Sequence, residues 1–210
     1  MNVVNDGISL LPKAAALYFA RGMLYVQLSD YQKAQNDFDA AYKLDPKQSL
    51  TAAAQGLTAV QRNDLGSALA GVQEKLRARP DDPILLYMLA DVTAQQDPEP
   101  GSTEFQTAIN SARRAVTLKP SLGPAHTVLA KLYLVANRYP EAAVECRKAL
   151  EDDPTDQTAL YYLIRASGKT DQKGEVPALL KKLALMRHQA ADKKREENRF
   201  KLVETQSDSK

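Results

Sequence analysis

The 210-residue sequence has no tryptophan, only one cysteine and no long apolar run. The shortage of cysteine and of apolar runs excludes particular structures and functions. With Cys146 alone, no disulfide bond can form within the chain. No apolar stretch approaches the roughly 18–20 residues of a membrane-spanning helix, so we expect no membrane insertion. The net charge of +2 gives no strong field for nucleic acid, and we expect no nucleic-acid partner. The composition, 44% apolar and 26% charged, is ordinary for a soluble globular protein.

The residues of common catalytic and metal sites are also scarce. His126 and His188 are the only two histidines, and a long stretch of sequence separates them. The chain has no HExxH or CxxC motif, and its nine glycines form no phosphate-binding loop. We therefore expect no enzyme activity, no cofactor and no metal site in these residues. A catalytic domain elsewhere in a longer parent chain is the alternative.

Prolines recur at a nearly constant interval along the chain. The five prolines in question are separated by 34, 34, 40 and 34 residues: Pro12, Pro46, Pro80, Pro120 and Pro154. A period near 34 residues, with helical apolar patterns filling each interval, is typical of a stacked repeat array. The six extra residues of the third interval coincide with a turn-forming segment, Asp97–Ser102, which predicts a lengthened turn. Such insertions are either part of a binding edge or tolerated surface length.

The stretch from Leu17 to Pro46 contains two helical patterns back to back. Small and aromatic residues fall at helical spacing along it: Tyr18, Gly22, Tyr25, Ala34, Phe38, Ala41 and Pro46. These residues at these offsets resemble the tetratricopeptide repeat (TPR), a helix–turn–helix unit of 34 residues. Arg21 departs from the repeat pattern, which usually has leucine there, and Tyr18 stands where tryptophan is common.

The resemblance implies an all-α fold, a right-handed α-solenoid of antiparallel helix pairs. The predicted units are residues 14–46, 48–80, 82–120, 122–154 and 156–191, the last with a long C-terminal capping helix. We expect residues 14–205 to form one solenoid domain, followed by a frayed tail at 206–210. Residues 1–13 are interpreted as the stub of a preceding repeat, which suggests a piece of a longer array, or as an N-terminal extension.

The first residues also bear on localisation. The segment MNVVNDGISLLPK lacks the basic and apolar regions of a secretory signal. A complete chain is therefore expected to be cytoplasmic. Removal of an upstream signal peptide would instead make the protein periplasmic or secreted.

Three local predictions follow from the repeat register. Ser29 is predicted to cap the second helix of the first unit, with Gln32 completing a capping box. Cys146 occupies the position that Phe38 holds in the first unit, so we expect a buried core thiol. His126 stands where Tyr18 stands in the first unit, so we expect it to pack at the start of its helix.

The resemblance implies that the first helix of each unit lines a groove that takes an extended peptide or a partner helix. In the first two units the groove residues are predicted to be Ala16, Phe19, Met23, Val26, Leu50, Ala53, Leu57 and Val60. In the later units they are predicted to be Tyr87, Asp91, Thr127, Lys131, Leu134, Tyr161 and Arg165. The predicted groove is therefore apolar at its start, then aromatic and charged.

Two interpretations of this groove compete. In the first, Tyr87 and Tyr161 anchor a peptide, while Lys131 and Arg165 meet an acidic group. In the second, the apolar first half is covered by upstream repeats or by another copy of the chain, because such a stripe is seldom left in water.

The predicted function is a non-catalytic protein–protein interaction scaffold whose groove binds a peptide or partner helix. Repeats that grip the C-terminal carboxylates of chaperones use a lysine and an asparagine where this chain has Phe19 and Met23, which argues against that subclass. A regulatory or substrate-recruiting segment of a larger enzyme or secretion machine is the alternative. Self-association through the N-terminal face is a third hypothesis.

Overall fold

A computed structural model describes residues 1–46, 54 and 64–207, whose regular structure is helical without a strand. The α-helices in these ranges are α1 (Asn2–Leu10), α2 (Ala15–Gln27), α3 (Tyr31–Leu44), α4 (Leu65–Ala78), α5 (Pro83–Gln95), α6 (Thr103–Leu118), α7 (Gly123–Val135), α8 (Tyr139–Asp152), α9 (Gln157–Ser167) and α10 (Val176–Ser207). A short 3-10 helix, Asp171–Glu175, precedes α10. The groove residues predicted in the second unit lie outside the described residues: Leu50, Ala53, Leu57 and Val60.

Successive helices pack as antiparallel pairs joined by tight turns. The pairs α2–α3, α5–α6 and α7–α8 make the most extensive contacts, and α9 packs on both α7 and α8. First helices of successive units also touch, α5 against α7 and α7 against α9. At the two ends, α1 packs on α2 and α10 packs on α9. This arrangement confirms the predicted all-α solenoid of helix pairs.

The largest buried cluster lies between α5 and α9, with α7 at its centre. Leu129, Leu132 and Tyr133 of α7 belong to this cluster and are almost entirely buried. Cys146 of α8 is fully buried in the same cluster, as predicted, and burial raises the pKa of its thiol to about 12. The thiol is therefore un-ionised at neutral pH and acts as a core side chain.

Close approach of α2 and α3 depends on a missing side chain. Gly22 is buried, and a Cβ atom placed on it would lie 2.5 Å from Cε1 of Phe38. The Phe38 ring occupies that space and is itself fully buried. Glycine is therefore required at the crossing, despite its cost of about 1 kcal/mol in helix propensity.

The predicted cap of α3 is wrong by one residue. Asp30, not Ser29, is the N-cap, and its side chain accepts a hydrogen bond from the Lys33 backbone N–H at 3.2 Å. Ser29 has a φ of 59°, so it forms the left-handed residue that ends α2. The Gln32 amide bonds the Asn36 side chain instead of reaching back to the cap.

The lengthened turn is present, but it contains only part of the predicted six-residue excess. Ser29, Asp97 and Asn137 have positive φ at the same place in three units. Ser29 and Asn137 directly precede the N-cap of the second helix, whereas residues 98–101 separate Asp97 from the N-cap Ser102. The other two residues lie in α6, which has 16 residues where α3 and α8 have 14. The second helix of this unit therefore begins half a turn early.

Candidate functional site

The face formed by the first helices α5, α7 and α9, which we call the groove, combines polar and aromatic residues on helices that are otherwise buried. On α5, solvent reaches only a stripe after the first turn: Tyr87, Asp91 and Gln95. In the middle of α7 it reaches Lys131 alone. The corresponding residues of α9 are Tyr161, which is 42% exposed, and Arg165. These stripes include most of the groove residues predicted for the later units.

Asp91 lies half-buried in the middle of α5. Its Oδ2 accepts a hydrogen bond from Nε2 of Gln95 at 2.9 Å, one helical turn later. Burial raises the pKa of Asp91, and neither this hydrogen bond nor the charge of Lys131 offsets the effect of burial. The groove therefore holds a carboxylate that is poorly solvated.

Lys131 is held by the end of the neighbouring first helix. Its Nζ donates to the backbone carbonyl of Ala94 at 2.8 Å and lies 3.8 Å from Oδ1 of Asp97. Cations are favoured at a helix C-terminus, where carbonyls lack partners within the helix. The ammonium group of Lys131 therefore links α7 to the C-terminal end of α5.

Thr127 is buried rather than presented to a ligand. Its hydroxyl donates to Oδ2 of Asp156 at 2.8 Å and also lies 3.3 Å from the carbonyl of Gly123. Asp156 in turn caps α9 by accepting from the backbone N–H groups of Thr158 and Ala159. Thr127 therefore couples α7 to the start of α9.

Three tyrosines give the groove aromatic surface. Burial is the main cause that raises the pKa of Tyr87 to about 12, and the carboxylates of Asp91 and Asp156 add to it. The Tyr161 ring lies 5.8 Å from that of Tyr162, a residue absent from the predicted site. The only sequence signal for Tyr162 was its position next to Tyr161. Of these two adjacent tyrosines, only Tyr161 has the helical spacing of the predicted groove residues.

A cavity of about 220 Å³ opens beside Lys131, between the lengthened turn and α7. Its walls are mostly apolar and comprise Ala94, Asp97, Pro98, Glu99, Pro100, Phe105, Lys131, Leu132 and Val135. Sequence reasoning located the turn but missed Phe105, Leu132 and Val135. The only related sequence signal was the six-residue excess, which located the turn but not the residues that pack beside it.

The first unit presents its predicted groove residues differently. Phe19 packs on Phe38 with ring centres 5.7 Å apart, and Val26 joins the same cluster. Met23 is 42% exposed, and Ala16 is exposed as well. This part of the surface is therefore apolar, with Phe19 and Val26 partly buried against the core.

Arg21, the departure from the repeat pattern, is a structural residue. Its Nε and Nη2 donate to the two carboxylate oxygens of Asp37, each at 2.7 Å. Its Nη1 donates to Oδ1 of Asn5 at 3.0 Å. One side chain thus joins α1, α2 and α3, in place of the leucine that packs there in the pattern.

His126 packs at the start of α7, as predicted, and lies beside a second cavity of about 680 Å³ at the opposite edge of the units. Its Nε2 donates to the carbonyl of Pro120 at 2.9 Å, and its Nδ1 lies 2.5 Å from Oε2 of Glu145. Lys148 donates to the other oxygen of Glu145 at 3.0 Å. These partners fill the hydrogen-bonding capacity of the imidazole, which leaves no lone pair for a metal ion.

Within the ranges that the structure describes, no three histidine, cysteine or acidic side chains come together to hold a metal ion. Nor does any described helix combine the length and apolar character that a membrane crossing needs.

Comparisons with known proteins point to one family. Two sequence models of the tetratricopeptide repeat match the chain, one over residues 15–48 and the other over residues 101–166. Bacteriophage adsorption protein A of Escherichia coli K12 is 30% identical over 105 residues. Those residues are 50% of this chain and 10% of that protein, so the chain spans a small part of this relative's length.

Solved structures agree on the fold. Yeast Tom70 superposes with a TM-score of 0.69 at 21% identity, covering 88% of this chain and 39% of that chain. TTC0263, a TPR protein of Thermus thermophilus, superposes with a TM-score of 0.67 at 16% identity, covering 85% of this chain and 98% of that chain. YrrB, described as a TPR protein with an unusual peptide-binding site, superposes with a TM-score of 0.56 at 19% identity, covering 87% of this chain and 91% of that chain.

Proposed function

This chain is a tetratricopeptide repeat protein, and from that premise we propose that it is a non-catalytic scaffold whose groove binds an extended peptide segment of a partner protein. Proteins of this family generally mediate protein–protein interaction. The finer proposal assigns the contact to the first-helix face of the third to fifth units.

One observation carries the proposal. The helices α5 and α7 are buried on almost every side, yet the stripe that solvent reaches combines Tyr87, Asp91, Gln95 and Lys131. Polar groups are ordinary at open helix positions, but Asp91 is half-buried and poorly solvated beside Tyr87, and tyrosine is enriched at recognition surfaces. YrrB, a structural neighbour, has a peptide-binding site, which is consistent with this proposal.

Site-specific photo-cross-linking tests the proposal. A photoreactive phenylalanine analogue replaces Tyr161 in the groove of one variant and Val144, 48% exposed on the second helix α8, in the matched control. Both variants are irradiated in lysate of the source cell, and adducts are identified by mass spectrometry. We expect a partner peptide attached at position 161 and not at 144. Adducts at 144 alone would move the binding surface away from the groove.

A second candidate function rests on the relation to a much longer protein. The match to Bacteriophage adsorption protein A covers only 10% of that protein, so a segment similar to this chain lies within a much longer protein. Under this proposal the solenoid, residues 14–205, recruits a partner for chemistry or transport performed elsewhere. The adducts at position 161 would then identify a substrate or regulator of that chemistry or transport, rather than a protein that the scaffold joins to another.

Self-association through the N-terminal face remains a separate proposal. Met23 is exposed, but Phe19 is largely engaged with Phe38. Light scattering of the wild type and of the Phe19→Ser/Met23→Ser variant tests it. Dimers that vanish in the variant support it, and wild-type monomers at high concentration contradict it.

A further inference from the structure

The carboxylate of Asp91 is unusual because it is half-buried in the groove without a matching cation. Its hydrogen bond from Gln95 is the only one it makes in the described part of the chain, and it forms no salt bridge there. The nearby Lys131 directs its Nζ to the carbonyl of Ala94 and towards Asp97. A desolvated carboxylate without a charged partner is unfavourable, so a cation brought by a ligand would gain from pairing with it.

Aromatic side chains border this carboxylate. Tyr87 lies one helical turn before Asp91 on the same face of α5, and the rings of Tyr87 and of Tyr162 on α9 pack against the same buried cluster. Tyrosine rings attract ammonium and guanidinium groups through their π faces. The surroundings of Asp91 therefore suit the head and stem of a basic side chain.

The cavity beside Lys131 begins one helical turn beyond Asp91. Ala94, three residues after Asp91, lines it, and Phe105, Leu132 and Val135 supply apolar walls. Three residues of helix rise about 4.5 Å, and each residue of an extended peptide advances about 3.3 Å. Side chains of an extended peptide alternate between its two faces, so side chains two residues apart point to the same face and span the two features.

We propose that the groove recognises a peptide in which a lysine or arginine pairs with Asp91 and an aliphatic side chain, two residues away, enters the cavity formed by the lengthened turn. This inference rests on the proposed function of the groove. It differs from the sequence-based hypothesis of an acidic ligand at Lys131 and Arg165. Lys131 is already bonded, and Arg165 lies over the Tyr161 ring, 5.9 Å from its centre.

A synthetic peptide array tests the proposal. Extended octapeptides contain a central lysine, arginine, glutamate or glutamine, with leucine or serine two residues away, and are probed with the full chain. We expect binding to the basic peptides that contain leucine, measured further by fluorescence polarisation. Asp91→Asn is expected to weaken that binding by about tenfold, the loss of one charge-assisted hydrogen bond.

Three further variants sharpen the test. Asp91→Glu keeps the charge and is expected to retain binding, which separates loss of charge from loss of fold. Val135→Lys, at the cavity rim, is expected to lower affinity for leucine-containing peptides more than for serine-containing ones. Asp171→Asn removes an exposed carboxylate from the 3-10 helix and is expected to leave affinity unchanged. Circular dichroism checks the fold of each variant.

Several outcomes would overturn the proposal. The first is that the chain prefers glutamate peptides and that the Lys131→Gln/Arg165→Gln variant loses this preference. The second is that Asp91→Asn and the wild type bind the basic peptides with equal affinity. The third is that no peptide of the array binds. The proposed function is tested separately by the cross-links at position 161, and adducts at position 144 alone would contradict it. A natural partner attached there with unchanged affinity for Asp91→Asn would contradict only the present inference.

Discussion

At the scale of single residues, Gly22 is the position where the fold tolerates least change. Gly22→Ala would place a methyl group against the buried Phe38 ring, so we expect a loss of about 1–3 kcal/mol in the free energy of unfolding. Gly71→Ala in α4 is the matched control, because its Cβ would meet only Nζ of Lys75 at 3.8 Å. There we expect a gain of roughly 0.5–1 kcal/mol from helix propensity. Urea denaturation measures both, and two changes of the same sign would contradict the close-packing explanation.

The buried Glu145 makes stability depend on pH. Burial acts to raise the pKa of Glu145, but hydrogen bonds with His126 and Lys148 outweigh it, and the folded-state pKa is lowered. A lowered pKa contributes stability that is present above the unfolded value, about 4.3, and is lost as the pH falls through the folded value.

The variant Glu145→Gln therefore gives a pH-dependent prediction. We expect it to be less stable than the wild type at pH 7, and to lose less further stability on acidification to about pH 3. Thermal melting at a series of pH values measures this difference. The exposed Glu151→Gln on the same helix should follow the wild-type curve. Parallel curves for Glu145→Gln and the wild type would show that the carboxylate is not stabilised by its partners.

At the scale of elements, Arg21 and Asp37 join α2 to α3. Arg21→Leu restores the residue usual in the repeat but leaves the Asp37 side chain, 7% exposed, without its cation. We expect the free energy of unfolding to fall by roughly 2–3 kcal/mol. This is small for the loss of one partner of a buried ion pair, because the Arg21 side chain is 23% exposed. The double variant Arg21→Leu/Asp37→Leu should recover most of the lost stability. Chemical denaturation of both variants is the measurement, and equal stability of the two would assign the loss to packing instead.

The elements also show how far the sequence could predict the structure. The helix pairs and the buried Cys146 could be predicted, because a fixed period places equivalent residues in equivalent surroundings. The Ser29 cap could not, because the adjacent Asp30 caps a helix as well as serine does, and serine is not a residue that usually adopts the left-handed conformation found at Ser29. Tyr162 and the cavity walls could not be predicted either, since they depend on how neighbouring units are spaced.

At the scale of the whole molecule, a solenoid distributes stability unevenly because each unit contacts only its neighbours. The α1 helix contains no buried residue, whereas α7 is buried on almost every side. We therefore expect amide hydrogen exchange to be fastest in α1 and slowest in α7, where opening requires global unfolding. Mass spectrometry of exchanged peptides measures this order. Comparable protection of the two helices would contradict nearest-neighbour stability.

The early start of α6 has a consequence for sequence alignment. A single six-residue gap in the turn would place Ser102 out of register with the N-cap residues of the other units. A gap of four after Asp97 and another of two within the first turn of α6 brings the backbones into register. The second family match begins at residue 101 and leaves out α5, although α5 packs as a first helix. A repeat profile that permits these two gaps would extend the match back to Pro83.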